Sequence, residues 1–138
     1  MITDRIGDFI IRLQNAALIG KRKVAIPYSA HLAAIAGKLK EIGFLAAVEV
    51  KESRKAEDGH AIKKCIAVEL AYDKRGEAKL RGVKRVSKPG RRLYASHTSV
   101  HKVKGGTGAR ILSSSIGIIS DVEARKNRVG GEELFEIW

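Results

Sequence analysis

The sequence predicts an α+β protein, and three observations indicate this class. Two apolar patterns with helical spacing come first, separated by a short β-prone segment. Two segments with alternating apolar residues follow, and the remainder of the chain mixes short β-prone pieces with glycine and basic turns. We therefore expect a helix-strand-helix-hairpin subdomain at residues 1–73, packed against a mostly β subdomain at residues 74–138 that contains one short helix.

The first three elements are predicted from apolar spacing and end signals. Residues 4–18 place apolar side chains on one helical face, and Gly20 is expected to end this helix. Residues 23–27 predict a short strand. Ser29 is an effective N-cap for a second helix, and Gly43 is expected to end it.

A hairpin and a group of shorter elements are expected after the second helix. Residues 45–51 and 62–70 alternate with a period of two, and Asp58-Gly59 between them is a hairpin-turn signal. Ser120 and Glu123 form a capping-box pattern for a short helix. The remaining strands are expected at residues 83–86, 93–95, 109–112, 117–120 and 132–138.

Three consecutive serines stand between two of these predicted strands. Ser113, Ser114 and Ser115 follow one apolar segment, and Gly117 opens the next. This pattern predicts a strand, a tight turn and a second strand, with hydroxyl groups and open backbone presented at one edge.

Charge is the strongest compositional signal. The chain has 27 Lys and Arg against 15 Asp and Glu, which gives a net charge of +12. Between Lys74 and Arg110 there are twelve basic residues and one acid, so nearly the whole excess precedes the serines. A localised basic segment favours a polyanionic partner, and nucleic acid is preferred to a membrane because no amphipathic helix carries this charge. The alternative is a solvated face that maintains solubility.

Cellular location is also constrained by composition. The single cysteine, Cys65, excludes an intrachain disulfide framework and is typical of a reducing compartment. No apolar run is long enough to cross a membrane, and the N-terminus lacks signal-peptide features. We therefore expect a protein of the cytoplasm or of a comparable reducing organelle matrix.

No arrangement of residues supports catalysis, a cofactor or a metal. The glycine-rich residues 105–108 lack the following Lys-Ser/Thr of a phosphate-binding loop. The serine turn has Ile111 where a nucleophile elbow requires glycine. His97 and His101 lack further zinc ligands. We therefore expect that the protein is not an enzyme.

A basic turn followed by an aromatic residue is a second candidate for nucleic-acid contact. Pro89-Gly90 favours a tight turn that presents Lys88, Arg91 and Arg92 to phosphates. Tyr94 then stacks on an unpaired base or is buried in the sheet; the sequence leaves both open. The serine hydroxyls suit base edges and ribose 2′-hydroxyls, although a solvated turn is the alternative. Arg12 and Asn15 lie outside the apolar face of the first helix.

The order of several motifs resembles the bacterial-type family of the eighth protein of the small ribosomal subunit. The similarity is greatest in residues 86–94, in the serine turn, in residues 121–126 and in residues 129–132, and it extends to Trp138. Upstream, residues 12–16, 27–29 and 41–44 are also similar to the family.

This resemblance implies a non-enzymatic binder of the central domain of small-subunit ribosomal RNA, with neighbouring ribosomal proteins as further partners. Some members of the family also bind a similar fold in their own messenger RNA as feedback control, and the resemblance extends this expectation to the present chain. The serine turn is expected to enter the minor groove of an irregular RNA helix, with Gly130, Gly131 and Glu132 nearby. The expected RNA-binding residues are therefore Arg12, Asn15, Ser29, Lys88, Arg91, Arg92, Tyr94, Ser113, Ser114, Ser115, Gly117, Gly130, Gly131 and Glu132.

Three positions depart from the family pattern. Ser114 stands where the family has threonine, Ile116 stands at an often polar or basic position, and Thr107 replaces leucine. Two other functions are weighed against RNA binding: a basic DNA-binding protein, and a small hydrolase that uses the serines. The hydrolase is disfavoured because no paired base is evident.

Overall fold

A computed structural model describes residues 4–54, 62–100, 103 and 107–138. In these ranges the chain forms three helices and eight strands. In chain order they are α1 (Arg5–Leu18), β1 (Lys23–Pro27), α2 (Ala30–Ile42), β2 (Leu45–Arg54), β3 (Ile62–Leu70), β4 (Val83–Arg85), β5 (Tyr94–Ala95), β6 (Ala109–Ser114), β7 (Gly117–Ser120), α3 (Asp121–Asn127) and β8 (Gly131–Ile137). The predicted α+β class is confirmed.

The described residues group into two compact units. The middle unit contains Ala16–Lys79, and the terminal unit combines Met1–Asn15 with Leu80–Trp138. Helix α1 therefore begins in the terminal unit and ends in the middle unit. The expected division into subdomains at residues 73 and 74 stays a prediction.

The middle unit is an antiparallel three-stranded sheet with α2 beside it. The strand order is β1-β3-β2, and α2 packs against β2. Ser29 caps α2 by accepting a hydrogen bond from the Leu32 amide at 3.1 Å, while Gly43 ends the helix with a φ of 102°. This left-handed conformation lets the Gly43 amide reach the last carbonyls of the helix at little steric cost.

The terminal unit is built around β8. This strand pairs with β6 on one side and with β4 and β5 on the other, while β7 extends the sheet beyond β6. Helix α3 lies against β6 and β7. Its buried Ala124 joins an apolar cluster with Val100, Leu112 and Ile119. This cluster packs α3 against the β6–β7 hairpin.

Most predicted elements are confirmed, with changes at their ends. Strand β2 continues to Arg54 instead of residue 51, and β6 continues to Ser114 instead of residue 112. The predicted Asp58-Gly59 turn lies outside the described residues. No helix within the described ranges is long and apolar enough to cross a membrane.

Candidate nucleic-acid interface

The serine run lies at the closed end of the β6–β7 hairpin. Ser114 pairs with Gly117, so Ser115 and Ile116 form a two-residue turn. Gly117 has a φ of 115°, whereas neither turn residue has a positive φ. Glycine is favoured at this position because a side chain would be strained there. The predicted strand, tight turn and second strand are confirmed.

The serines differ in how their hydroxyl groups are used. The Ser114 hydroxyl donates to the Gly117 carbonyl at 2.8 Å and accepts from the Ile116 amide at 3.3 Å. A serine hydroxyl has one proton, so toward a ligand Ser114 can only accept a further hydrogen bond. Ser115 is exposed, and its hydroxyl bonds no other residue in the described part of the chain. Ser115 therefore presents both a donor and an acceptor to a ligand.

The glycine pair at the start of β8 permits two close backbone approaches. A Cβ atom on Gly130 would lie 2.3 Å from the Ala95 carbonyl oxygen, and one on Gly131 would lie 2.2 Å from the Ser113 carbonyl oxygen. Both distances are far below normal contact, so any side chain would separate these strands. Gly131 consequently lies directly against the backbone of the first serine.

Glu132 lies between the serine turn and the basic turn. In the sheet register it is opposite Ser113 on β6 and Tyr94 on β5. Its carboxylate accepts hydrogen bonds from the Ser87 hydroxyl at 3.3 Å and from Arg92 Nη1 at 3.0 Å. Glu132 therefore acts as an anchor for the basic turn, and it holds the Arg92 guanidinium on the sheet.

The basic turn has the predicted geometry. Lys88 and Arg91 exchange two backbone hydrogen bonds of 2.9 Å around Pro89 and Gly90. Both cationic side chains are exposed and form no ion pair with any described acid. The Tyr94 side chain is 72% exposed, which excludes the alternative that its ring is buried in the sheet.

The local charge is smaller than the sequence count indicates. Among the described residues between 74 and 110, some arginines are neutralised by acids that lie elsewhere in the chain. The ion pairs are Arg85 with Asp4, Arg92 with Glu132, and Arg110 with both Glu133 and Glu136. The acids of β8 are distant in sequence from most of this segment, and the pairing follows only from the fold.

Arg110 is the clearest example of a cation that is neutralised within the sheet. Its side chain is only 19% exposed, and it bonds Glu133 and Glu136 through its two terminal nitrogens. Burial lowers the pKa of Arg110, but its hydrogen bonds to the two carboxylates and their negative charges together raise it more, so the net pKa is raised. Arg110 therefore belongs to the sheet and is not an available phosphate ligand.

Three other predicted contact residues belong to α1 and to the start of α2. Arg12 Nε is 3.0 Å from Asp8 Oδ2 on the outer face of α1, and Asn15 is exposed one turn later. Ser29 is in the middle unit, where its hydroxyl caps α2 by bonding Leu32. The structure therefore gives Ser29 a structural role at the helix start, whereas Asn15 keeps an exposed side chain.

Some residues that the sequence analysis considered lie outside the described ranges. These are His101, Lys102, Lys104, Gly105 and Gly106. Among the residues that the structure describes, no group of three or more His, Cys, Asp or Glu side chains is arranged to hold a metal ion.

Comparison with known proteins identifies related chains over the full length. The family described as ribosomal protein S8 matches residues 4–138. Three curated relatives are each named small ribosomal subunit protein uS8. The chain is 41% identical to the one from Brevibacillus brevis over 138 residues, 40% to that from Sorangium cellulosum over 138 residues, and 39% to that from a Nocardioides species over 137 residues. These alignments cover 99–100% of this chain and 98–100% of each relative.

Proposed function

Because this chain belongs to the ribosomal protein S8 family, we propose that it is a structural constituent of the small ribosomal subunit and that it works by binding ribosomal RNA. The expectation that the protein is not an enzyme is confirmed, because its relatives are named as ribosomal proteins. The three relatives come from bacteria, in agreement with the expected cytoplasmic location.

The observation that best supports RNA binding is the exposed hairpin end beside the basic turn. Ser115 presents an uncommitted hydroxyl, and Ser114 is held in place by two hydrogen bonds within the turn. A narrow two-residue turn fits a shallow minor groove, where ribose 2′-hydroxyls both donate and accept hydrogen bonds. The turn therefore reads the RNA through shape and 2′-hydroxyl contacts.

The neighbouring side chains supply the remaining contacts. Lys88 and Arg91 bind phosphates from an exposed turn, and the Tyr94 ring is available to stack on an unpaired base or a ribose. Glu132 orients this surface through Arg92. Phosphate contacts thus provide affinity, and the serine turn provides selectivity for RNA over DNA.

The partner of this surface is the central domain of small-subunit ribosomal RNA, where an irregular helix offers an accessible minor groove. Binding would order that domain for neighbouring ribosomal proteins. A similar helix in the protein's own messenger RNA would be bound by the same surface, which would repress translation of the protein.

Substitutions at Ser115 test the proposal. Ser115→Phe should raise the Kd for a central-domain transcript by more than about tenfold, because the ring prevents the turn from entering the groove. Ser115→Ala removes one hydrogen-bonding group and should raise the Kd by roughly three- to tenfold. Filter binding or calorimetric titration measures both values.

A matched control separates added bulk from loss of contact. Ala34→Phe places the same ring on an exposed position of α2 in the middle unit and should leave the Kd unchanged. Circular dichroism should show that all three variants remain folded, because Ser115 is exposed in a turn. Wild-type affinity in both Ser115 variants would contradict the assignment of this turn to RNA.

A further inference from the structure

Arg128 has a backbone conformation that is unusual for its residue type. It follows α3 with a φ of 55° and a ψ of 44°, in the left-handed region. It is the one non-glycine residue with a positive φ in the described part of the chain. Glycine normally occupies this helix-ending position because it has no Cβ atom to clash with the backbone.

The fold requires this conformation at residue 128. The amide of Val129 bonds the Ala124 carbonyl at 3.0 Å, which closes the last turn of α3. Val129 then packs against the apolar cluster of the terminal unit. The next two residues, Gly130 and Gly131, approach neighbouring strands too closely for any side chain. The chain is therefore fixed on both sides of Arg128, and Arg128 cannot relax to a normal φ.

No contact with another described residue accounts for arginine at this position. Its side chain is exposed and forms no ion pair with the acids that the structure describes. The partial negative charge at the end of α3 already has Arg125 and Lys126 in the last turn. Strain of this kind persists at functional positions when the surrounding structure determines the backbone.

We propose that Arg128 binds a phosphate of the RNA helix whose minor groove receives the serine turn. This inference rests on the function proposed above and adds a cationic contact that the sequence motifs did not indicate. Arg128 is three residues before Gly131, so their Cα atoms are at most about 11 Å apart. Gly131 lies against the backbone of Ser113, and an extended guanidinium therefore reaches the same stretch of RNA as the turn.

The test compares stability and RNA affinity in Arg128→Gly. Removing the Cβ atom relieves the left-handed strain, so the Tm should rise by about 3 °C. Removing the cation should raise the Kd for a central-domain transcript by roughly five- to tenfold at 100 mM salt, and the slope of log K against log salt should become shallower by about one. A purely structural role predicts no loss of affinity in a more stable protein.

Two further variants distinguish a specific contact from net charge. Arg128→Lys retains the cation and should keep most of the salt slope. Lys40→Gln removes an exposed cation from the last turn of α2, a similar setting in the middle unit, and should leave the Kd within about twofold. Titrations of all three variants with the same transcript give these values.

The results separate the two proposals. If the unaltered protein binds the transcript while Arg128→Gly keeps its Kd and salt slope, or weakens no more than Lys40→Gln, the Arg128 assignment is overturned. If the unaltered protein does not bind the transcript, the function proposed above fails, and the Arg128 contact fails with it.

Discussion

Asp4 connects a helix start to a strand through one carboxylate. Its Oδ1 accepts the Gly7 amide at 3.0 Å, and both oxygens bond the Arg85 guanidinium at 3.1–3.2 Å. A Cβ on Gly7 would lie 2.3 Å from Asp4 Oδ2, so glycine makes room for this geometry. Burial raises the pKa of Asp4, but the bonds from Gly7 and Arg85 lower it more, and the net pKa is below its ordinary value.

The lowered pKa of Asp4 predicts pH-dependent stability. Asp4→Asn keeps an N-cap but removes the charge, so at pH 7 it should lower the free energy of unfolding by about 1 kcal/mol. The contribution of a carboxyl with a depressed pKa is present above its unfolded-state pKa and is lost as the pH falls through the folded-state pKa. The difference between variant and wild type should therefore shrink when urea unfolding is repeated at about pH 3.

A second aspartate on α1 is the control. Asp8→Asn removes the exposed pair with Arg12 and should change stability little at either pH. A constant difference between Asp4→Asn and wild type at both pH values would contradict the role of the Asp4 charge.

At the scale of elements, an irregularity in the β6–β8 pairing brings together three charged side chains that are largely shielded from solvent. Ile111 is opposite Phe135, whereas the next residue, Leu112, is opposite Glu133, so β8 has one extra residue at Leu134. The Leu134 carbonyl accepts a hydrogen bond from Arg85 at 2.6 Å. Regular alternation would place Glu133 and Glu136 on opposite faces, and the bulge allows both to bond Arg110.

For these three charged residues, we expect a single substitution to destabilise the protein much more than a combined substitution that removes all three charges. Arg110→Met leaves Glu133 and Glu136 without a counter-charge and should lower the free energy of unfolding by about 2–4 kcal/mol. Replacing both glutamates with glutamine in the same variant should recover most of this loss. Chemical denaturation measures these values.

Arg92→Met is a matched comparison, because its partner Glu132 lies on β8 together with Glu133 and Glu136. It breaks the half-exposed pair with Glu132 and should cost less than about 1 kcal/mol. Equal losses for Arg92→Met and Arg110→Met would show that burial does not determine the contribution of these pairs.

For the whole molecule, the proposed RNA binding predicts that the affinity for RNA depends on salt. The net charge is +12, and Lys84, Lys88 and Arg91 remain exposed in the terminal unit without an ion pair to a described acid. If about six phosphates are neutralised, the affinity should fall by about a thousandfold between 50 and 200 mM salt. A flat response in filter binding would contradict a phosphate-binding role for the basic segment.

The two exposed cations of the basic turn should contribute to this salt dependence. Lys88→Gln with Arg91→Gln should make the slope of log K against log salt shallower by about two.

Structured RNA should displace the protein from a labelled transcript far more effectively than duplex DNA does, because DNA lacks the 2′-hydroxyl. Equal competition would favour the alternative of a basic DNA-binding protein.

Local patterns were sufficient to predict most elements and the serine hairpin. These patterns are apolar spacing, the Ser29 cap and Gly43, and each acts within one or two helical turns. They can therefore be recognised from the sequence without knowledge of tertiary contacts. Strand ends were less predictable: Ser113 and Ser114 are polar, yet they belong to β6 because β7 and β8 supply their backbone partners.

The sequence by itself determined the α+β class, the basic character of the chain and the position of the serine turn. Only the tertiary structure decided which arginines are paired with acids, because β8 brings Glu132, Glu133 and Glu136 to arginines that are remote in sequence. It also decided that Arg128 has a left-handed backbone. Ion pairing and backbone strain depend on distances between segments, and those distances arise only when the strands pair.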